Sequence, residues 1–466
     1  MNRFQTLCLV FSMALMSACN TGNTRMDSVS FYLSTPDKKA LFAKQDTGVT
    51  FAETDNSPVI EVNEHVVFQE MDGFGFSLTG GSAYHIYNMS EDTRKQLLNE
   101  LFRLDGNNIG ISYLRISLGA SDLDAEVCSY DDLPEGETDE NMDKFSLAPD
   151  KKFLIPVLKE ILAIYPELKI MASPWSPPSW MKTNNSSKGG SLIPEYYPAY
   201  AKYFVKYVQG MAKEGITIDA ITVQNEPLHP GNNPSLLMLP EDQAKFIKNQ
   251  LGPAFKQANI STKIVIYDHN ADRIDYPISI MDDPNAKQYI DGSAFHLYGG
   301  SIHDLTKVYN AHPDKNLYFT EQWIGAPGDF PENLKWHVEN LIVGASRNWC
   351  KTVLEWNLAA DPDMKPHTPG GCTRCLGAIT IDGDMVTRNP AYYIIAHASK
   401  FVRPGSKRIG SNSIPELANV AFKTPGGSVV VIVLNKSETT QKFTIKIRGK
   451  LYTTSLASGA VGTYFK

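Results

Sequence analysis

The feature that most constrains the fold of this chain is an alternation of short apolar runs with amphipathic helical segments, repeated about eight times. The runs end in Gly, Pro or a polar cluster, and both of their faces are apolar, which is typical of parallel strands covered on two sides. Eight strand–helix units favour a closed (β/α)8 barrel over an open sheet. The predicted strands are Gly73–Thr79, Ile111–Ser117, Lys169–Ser173, Ala220–Gln224, Lys263–Asp268, Gly292–His296, Leu317–Glu321 and Thr352–Trp356.

The two ends of the chain carry a different pattern. Ser428–Leu434 is a β-branched run, Phe443–Arg448 alternates with period two, and Val29–Leu33, Val49–Ala52 and Val59–Val62 are short strand-like pieces. These patterns predict a β-sandwich that both ends build together, with the barrel inserted between its parts. The predicted segments are a lipoprotein signal peptide (1–18), a tether linker (19–28), N-terminal sandwich strands (29–68), the barrel (69–400) and a C-terminal sandwich (401–466).

The N-terminus has the pattern of a secretory signal. Asn2-Arg3 precedes the mostly apolar stretch Phe4–Met16, and Ser17-Ala18-Cys19 follows it. The cysteine after two small residues resembles a bacterial lipobox, so Cys19 is the predicted lipidation site; the alternative is a plain signal peptide with a chance cysteine. The predicted location is outside the cytoplasm, on the periplasmic or cell-surface face of the bacterial outer membrane. The lipid anchor is then the predicted membrane contact.

Composition excludes other partner classes. The 44 Lys and Arg residues against 51 Asp and Glu give a net charge of −7, and there is no basic run, so a nucleic-acid partner is not expected. The 42 % of apolar residues indicates a chain with a large folded core. The sequence makes no prediction of oligomeric state.

Cys372 and Cys375 form a C-x-x-C pair. A zinc site needs a second pair or histidines at ligand spacing, and His367 is the one nearby candidate, so we predict no metal. In an oxidising compartment the pair either forms a local disulfide or stays as two free thiols, and the spacing leaves both alternatives open.

The function of a barrel of this kind resides at the carboxyl ends of its strands. Those positions hold two glutamate carboxylates between several aromatic, amide and imidazole side chains. Sugar rings present flat C–H faces and a fringe of hydroxyl groups, which aromatic rings and polar acceptors match. The candidate site residues at this rim are Asp122, Trp175, Asn225, Glu226, His296, Tyr298, Glu321, Trp323 and Trp356.

Glu226 and Glu321 come at the ends of predicted strands four and seven, which lie across the barrel mouth from each other. Glycoside hydrolysis needs one carboxylic acid to protonate the leaving oxygen and a second carboxylate, which in a retaining enzyme attacks the anomeric carbon. We therefore predict that burial and the neighbouring charge raise the pKa of Glu226. We predict that hydrogen bonds and Arg115 keep Glu321 ionised. No cofactor is required by this chemistry.

Several motifs together resemble glycoside hydrolase family 30, the glucosylceramidase family, from about Met71 to Tyr392. They are the segments Ala172–Lys182 (ASPWSPPSWMK), Thr222–Pro227 (TVQNEP) and Phe319–Glu321 (FTE), the pairs Arg115/Asp122 and His296/Tyr298, and Trp356–Ala359 (WNLA). The resemblance implies a (β/α)8 barrel with an attached β-sandwich and a retaining mechanism.

The resemblance also implies a role for each residue that matches a motif. Glu226 is expected to be the general acid/base and Glu321 the nucleophile. The supporting residues are expected to bind the sugar or to orient the carboxylates: Asn225 at the 2-hydroxyl, Asp122 and Trp175 at the outer hydroxyls, Arg115 beside the nucleophile, and His296, Tyr298 and Trp356 as lining.

The expected substrate is a β-linked glucan or glucoside, with β-1,6-glucan favoured. Gln322-Trp323 is bulkier than the matching pair in the animal lipid hydrolases, so Trp323 is expected to shape a leaving-group subsite for a second sugar. A glucosylceramidase-like or other β-glucosidase activity is the alternative within the class. A xylan-acting relative would use a late-loop arginine, for which Arg374 is the candidate. The alternative from another class is a glycan-binding lipoprotein without catalysis, although such a protein has no need of two opposed carboxylates.

Overall fold

A computed structural model of the protein describes residues 29–52 and 56–466. The predicted signal peptide, Cys19 and the tether linker lie outside the described residues. The predicted (β/α)8 barrel is confirmed: eight parallel strands pair in chain order and close on themselves, and each predicted run matches its strand to within two residues at either end. Barrel strands 1 to 8 are Gly73–Leu78, Tyr113–Leu118, Lys169–Pro174, Ala220–Thr222, Lys263–Asn270, Ile290–His296, Asn316–Glu321 and Cys350–Asn357.

Helices surround the barrel because each carries an apolar face toward the strands; in Leu154–Ile164, for example, Leu154, Val157, Leu158 and Ile161 are buried. Two long helices contain a π-helical segment, at Ile247–Leu251 and Val338–Ala345. No helix in the described part of the chain is long and apolar enough to span a membrane. The α-helical segments are Gly80–Asn88, Glu91–Phe102, Leu154–Ile164, Tyr197–Lys213, Pro240–Phe246, Gly252–Gln257, Asp275–Met281, Pro284–Lys287, Leu305–Ala311, Phe330–His337 and Pro390–Ser399.

The barrel interior is a packed core rather than a pore. One inward-pointing residue from each of seven strands forms a buried cluster: Tyr113, Met171, Ala220, Val265, Ala294, Tyr318 and Leu354. Because this cluster fills the inside of the barrel, the polar side chains further along the same strands stand above it, at the carboxyl ends.

Both ends of the chain build one β-rich domain, as predicted. Val59–Glu70 joins its two parts, because its first residues pair with Gln441–Ile447 and its later residues with Lys407–Ser411. A shared core includes Phe31, Val431, Phe443 and Tyr464. The strands, in order across the sheet, are Ala43–Gln45, Ser30–Ser34, Val461–Phe465, Val429–Asn435, Leu417–Lys423, Lys407–Ser411, Val59–Glu70, Gln441–Ile447, Lys450–Leu456 and Val49–Ala52.

Short strands in the loops after barrel strands 7 and 8 build the rim of the barrel mouth. Ile324–Gly325 pairs antiparallel with Cys375–Leu376. A second small sheet contains Ala359–Ala360, Ile379–Asp382 and Met385–Arg388. The segment between strand 8 and residue 376 is thereby bound to the strand-7 loop.

Candidate active site

A cavity of about 340 Å³ opens at the carboxyl ends of the barrel strands. Its walls combine carboxylate, amide and imidazole groups with three tryptophan rings and a tyrosine. The lining residues are Asp122, Trp175, Asn225, Glu226, His229, Asn232, His269, Asn270, Tyr298, Glu321, Trp323, Trp356, Cys372 and Cys375. Eight of the ten predicted site residues of the barrel therefore lie on the cavity surface. The other two, Arg115 and His296, are fully buried beneath it.

The backbone at Glu226 holds its carboxylate in an uncommon conformation. Glu226 has a φ of +46°, in the left-handed region that a non-glycine residue adopts at a cost of about 1–3 kcal/mol. Its backbone N–H donates to the carbonyl oxygen of Asp268 at 2.9 Å, and the N–H of Asn225 donates to the carbonyl of Pro174 at 2.8 Å. These bonds to neighbouring barrel strands stabilise the turn that presents Glu226 to the cavity.

The two carboxylates lie close enough to act on one atom. A carboxylate oxygen of Glu226 and one of Glu321 are within 4.8 Å of each other. Retaining glycosidases hold their two carboxyl groups about 5–5.5 Å apart, whereas inverting enzymes need about 6.5–9.5 Å to accommodate a water molecule. The separation therefore matches the retaining class.

Glu321 is held by donors at both of its oxygens. The Arg115 Nη1–H group donates to Oε2 at 2.6 Å, and the hydroxyl of Tyr298 donates to Oε1 at 3.0 Å. Burial nevertheless raises the pKa of Glu321, and the charge of Glu226 adds to this rise against the opposing charges of His296 and Arg115.

Arg115 also orients Asn225. Its Nη2–H group donates to Oδ1 of Asn225 at 2.6 Å, which leaves the amide nitrogen of Asn225 as a donor toward the cavity. The guanidinium lies 4.8 Å from the ring centroid of Trp175. Arg115 therefore acts from below the cavity and fixes three groups that line it.

Asp268, at the end of barrel strand 5, was missed by the sequence analysis. One of its oxygens accepts from Arg115 at 2.8 Å and from Thr222 at 2.7 Å. The other accepts from His296 at 3.1 Å and from Thr320 at 2.6 Å. Although Asp268 is fully buried, these donors and the charge of Arg115 hold its pKa well below its usual range. Asp268 is thus the anion that positions both Arg115 and His296.

A local irregularity of strand 5 brings Asp268 inward. Tyr267 and Asp268 have φ values of +72° and +64°, and the register with strand 6 shifts at this point. The signal in the sequence is the polar run Asp268-His269-Asn270 after the buried run Ile264–Tyr267. That pattern is the same one that indicated the ends of strands 4 and 7.

His296 bridges the two acidic groups Glu226 and Asp268. Its Nδ1 atom is 3.3 Å from Oε1 of Glu226, and its Nε2 atom is 3.1 Å from Oδ1 of Asp268. Burial by itself lowers the pKa of this imidazole, but the charge of Glu321 and the two hydrogen-bonded carboxylates outweigh it and raise the pKa to about 9. At neutral pH, His296 is therefore an imidazolium that donates to both neighbours.

The predicted direction of the pKa shift of Glu226 is wrong for the site in this structure. Burial of Glu226 raises its pKa, but the hydrogen bond and charge of His296 outweigh burial, and the net pKa of Glu226 is lowered. For Glu321 the predicted contact with Arg115 is present, yet burial raises its pKa. His296, which was expected only to line the pocket, therefore lowers the pKa of Glu226, the reverse of the predicted direction.

The walls around this pair are aromatic. The rings of Trp175 and Trp356 are 5.4 Å apart at their centroids and pack with Leu123 against Cys375. Cys372 and Cys375 form a disulfide, which is the first of the two alternatives that the sequence left open. Trp323 is half-buried, with its ring against Gly325. Arg374 donates to the carbonyl of Ala326 at 2.6 Å, so it braces the loop instead of facing the cavity.

One group among the described residues has the geometry of a metal site: Glu226, His296 and Glu321, whose donor atoms lie within 4.8 Å of one another. The charge of Arg115, 2.6 Å from Glu321, disfavours a cation at this point. Nδ1 of His296 is already directed at Glu226. The donor set therefore fits an ion-pair network better than it fits a metal.

The cavity supplies what cleavage of a glycosidic bond requires. Two carboxylates can flank one anomeric carbon, and aromatic faces with polar groups between them can hold a sugar ring. A binding protein would need the rings but would gain nothing from two carboxylates directed at one point, one of them held by a buried arginine. The fold and the cavity therefore define a glycoside hydrolase of the (β/α)8-barrel class.

The chain belongs to glycoside hydrolase family 30. Residues 71–402 match the family's TIM-barrel domain and residues 405–464 its beta sandwich domain. Among curated relatives, an endo-1,6-beta-D-glucanase of Neurospora crassa is 35 % identical over 388 residues, covering 79 % of each chain. The lysosomal acid glucosylceramidase of Mus musculus is 30 % identical over 409 residues, covering 81 % of this chain and 77 % of the relative.

A solved structure extends the similarity to the whole fold. The structure of an endo-β-1,6-glucanase superposes with a TM-score of 0.88 at 36 % identity, covering 94 % of this chain and 98 % of the other. The enzyme class and the family are thereby established.

Proposed function

We propose that this protein is a retaining endo-β-1,6-glucanase in which Glu321 is the nucleophile and Glu226 the general acid/base. The observation that carries the mechanism is the separation of the two carboxylates, whose oxygens lie within 4.8 Å. The substrate class is supported by the similarity to endo-1,6-β-glucanases at 35 % and 36 % identity.

In the first step Glu321 attacks the anomeric carbon and the glycosidic oxygen leaves with a proton from Glu226. The proton source is adjacent: the Nδ1–H group of the His296 imidazolium is 3.3 Å from Glu226. Its transfer leaves a neutral imidazole that still donates from Nε2 to Asp268 and leaves Glu226 protonated. The pair of His296 and Glu226 holds one movable proton, so Glu226 can be protonated for this step, at the free-energy cost of moving the proton from the more basic imidazole.

In the second step water hydrolyses the covalent glucosyl–Glu321 ester. Glu226, now a carboxylate, accepts the proton of that water, and Glu321 departs as a carboxylate held by Arg115 and Tyr298. Arg115 stabilises the leaving carboxylate because its guanidinium is already in place, 2.6 Å from Oε2.

The sugar that is attacked lies between Asn225, Asp122 and Trp175. Asn225, with its oxygen occupied by Arg115, directs its amide N–H toward the 2-hydroxyl, an interaction that strengthens in the transition state. Asp122 accepts hydrogen bonds from the outer hydroxyls, and Trp356 packs against Trp175 behind the ring. Trp323, on the strand-7 loop, provides a flat face for the leaving sugar, which favours a glucan over a lipid aglycone.

Product profiling tests the proposed substrate. Purified protein is incubated with β-1,6-, β-1,3- and β-1,4-glucan and with glucosylceramide, and the products are separated by chromatography. We expect oligosaccharides from β-1,6-glucan within the first percent of turnover, and no release from the other glucans. Glucose as the sole early product would contradict endo cleavage, and preferential release of ceramide would favour the glucosylceramidase alternative. Glu321→Gln, which conserves the side-chain shape, is the control for contaminating activity.

We propose that the protein is exported and anchored by lipid at Cys19 to the bacterial outer membrane. The Ser17-Ala18-Cys19 motif after an apolar stretch supports this location, and a disulfide in the folded domain fits an oxidising compartment. Expression of the full chain in a bacterium supplied with labelled fatty acid tests the anchor. We expect label in the wild type and none in Cys19→Ala. Label in both, or in neither, would contradict lipidation at this position.

A further inference from the structure

The disulfide between Cys372 and Cys375 lies in the wall of the active-site cavity, and both cysteines line it. Cys375 is 4 % exposed and packs among Leu123, Trp175 and Trp356. A disulfide that closes so short a loop adds little to global stability, since the loop-closure entropy it removes is small. Its position indicates that it acts locally, on the residues that line the cavity.

On one side, the loop that holds the disulfide is hydrogen-bonded to Asp122. The backbone N–H of Cys372 donates to Oδ2 of Asp122 at 3.2 Å, and the N–H of Thr368 donates to its carbonyl oxygen at 2.9 Å. The approach is so close at Gly371 that a Cβ atom there would lie 2.4 Å from the same carbonyl oxygen. Both the backbone and the carboxylate of Asp122 therefore depend on this loop.

On the other side, the same loop is fixed to the segment that follows the nucleophile strand. Cys375 pairs with Gly325 in the two-stranded sheet, and the N–H of Ala326 donates to the carbonyl of Arg374 at 2.8 Å. Trp323 stands two residues before Gly325 and lines the cavity. The disulfide thus links the cysteine that contacts Asp122 to the cysteine that pairs with the segment after Trp323.

We propose that the Cys372–Cys375 disulfide is a positioning element for substrate binding: it holds the Cys372 N–H against Asp122 and so keeps the carboxylate aligned with the hydroxyls of the bound glucosyl unit. The inference rests on the proposed function, because it takes Asp122 as a sugar ligand. Reduction by a dithiol breaks the S–S bond, oxidises the reagent to its own disulfide and leaves two protein thiols. The loop is then free to move away from Asp122.

The electrostatics of Asp122 agree with this role. Burial raises the pKa of Asp122 to about 7, the charges of Glu321 and Glu226 add to the rise, and the Cys372 N–H opposes it. Without the Cys372 N–H donor, a larger fraction of Asp122 is protonated at neutral pH. A protonated carboxyl accepts weaker hydrogen bonds from sugar hydroxyls than a carboxylate does.

The test is a double-mutant cycle on β-1,6-glucan with Cys372→Ser/Cys375→Ser, Asp122→Asn and the triple variant. Losing an aligned hydrogen bond to a charged group predicts a KM about tenfold higher for the disulfide variant with kcat within about twofold. In the Asp122→Asn background, removing the disulfide is expected to change KM by less than about twofold, because the partner it positions is already altered. Unchanged KM in the disulfide variant, or the same increase in both backgrounds, would overturn the proposal.

Reduction of the folded wild type gives the same comparison without mutation. Dithiothreitol is expected to raise KM of the wild type and of Cys128→Ser, a control at a free thiol outside the cavity, but not of the disulfide variant. If dithiothreitol leaves KM of the wild type unchanged while mass spectrometry shows two new thiols, the proposal is wrong. If the wild-type protein does not cleave β-1,6-glucan but cleaves another β-glucoside, the proposed substrate is wrong. The same double-mutant cycle, measured on that glucoside, would still test the proposed role of the disulfide.

Discussion

Glu321→Ala is expected to lower kcat on β-1,6-glucan by about 10⁵-fold, the scale of loss that follows removal of a catalytic nucleophile. Without the carboxylate no covalent intermediate can form, and Arg115 and Tyr298 lose the group they hold. Added azide is expected to enter the vacated space and attack an activated aryl β-glucoside from the same face. Because that reaction is a single displacement, the product is the α-glucosyl azide, which NMR identifies.

The matched control for this prediction is Glu140→Gln, at an exposed glutamate on the surface. It is expected to keep wild-type kcat and KM. A Glu321→Ala variant that retains more than about a hundredth of wild-type kcat, with an unchanged melting temperature, would contradict the assignment of the nucleophile.

Glu226→Ala is expected to lower kcat on β-1,6-glucan by about 10³-fold, within the range for loss of a general acid/base. The loss depends on the leaving group, because a dinitrophenolate departs without protonation whereas a sugar alkoxide does not. The first step on a dinitrophenyl β-glucoside is therefore expected to stay near the wild-type rate, so that the glucosyl-enzyme accumulates. Azide is expected to accelerate turnover and to give the β-glucosyl azide.

The configuration of the azide products separates the two glutamates. A β product from Glu226→Ala requires two displacements with Glu321 still in place, whereas an α product from Glu321→Ala requires one. If Glu226→Ala were to give the α azide and Glu321→Ala the β azide, the roles would be exchanged. Equal losses on the glucan and on the activated glucoside would contradict an acid role for Glu226.

The sequence predicted the barrel well because strand and helix periodicity is local. Each apolar run has both faces covered, so its character depends on no distant partner, and each of the eight runs is a barrel strand. The residues at the rim of the barrel were predicted by the same reasoning. Once the strands were located, their carboxyl ends placed Glu226 and Glu321 at one mouth, and the structure brings their oxygens within 4.8 Å.

The role of Asp268 and the lowered pKa of Glu226 could not be predicted from the sequence, for physical reasons. Asp268 turns inward only through the irregular backbone of strand 5, where Tyr267 and Asp268 have positive φ. Its four hydrogen bonds come from four different barrel strands. The pKa of Glu226 then depends on His296, which is charged because buried carboxylates surround it. Desolvation and distances between strands set these pKa values, and neither can be derived from residue order.

The sequence by itself therefore determined the succession of strands and helices, the rim at which the cavity opens and most of the predicted residues that line it. Tertiary structure alone decided that Cys372 and Cys375 join beside Asp122, that Asp268 anchors Arg115 and His296, and that His296 lowers the pKa of Glu226. Periodicity arises from neighbours a few residues apart along the chain. Electrostatic and hydrogen-bond energies depend on atoms a few ångströms apart in space, and in this barrel those atoms come from segments far apart in sequence.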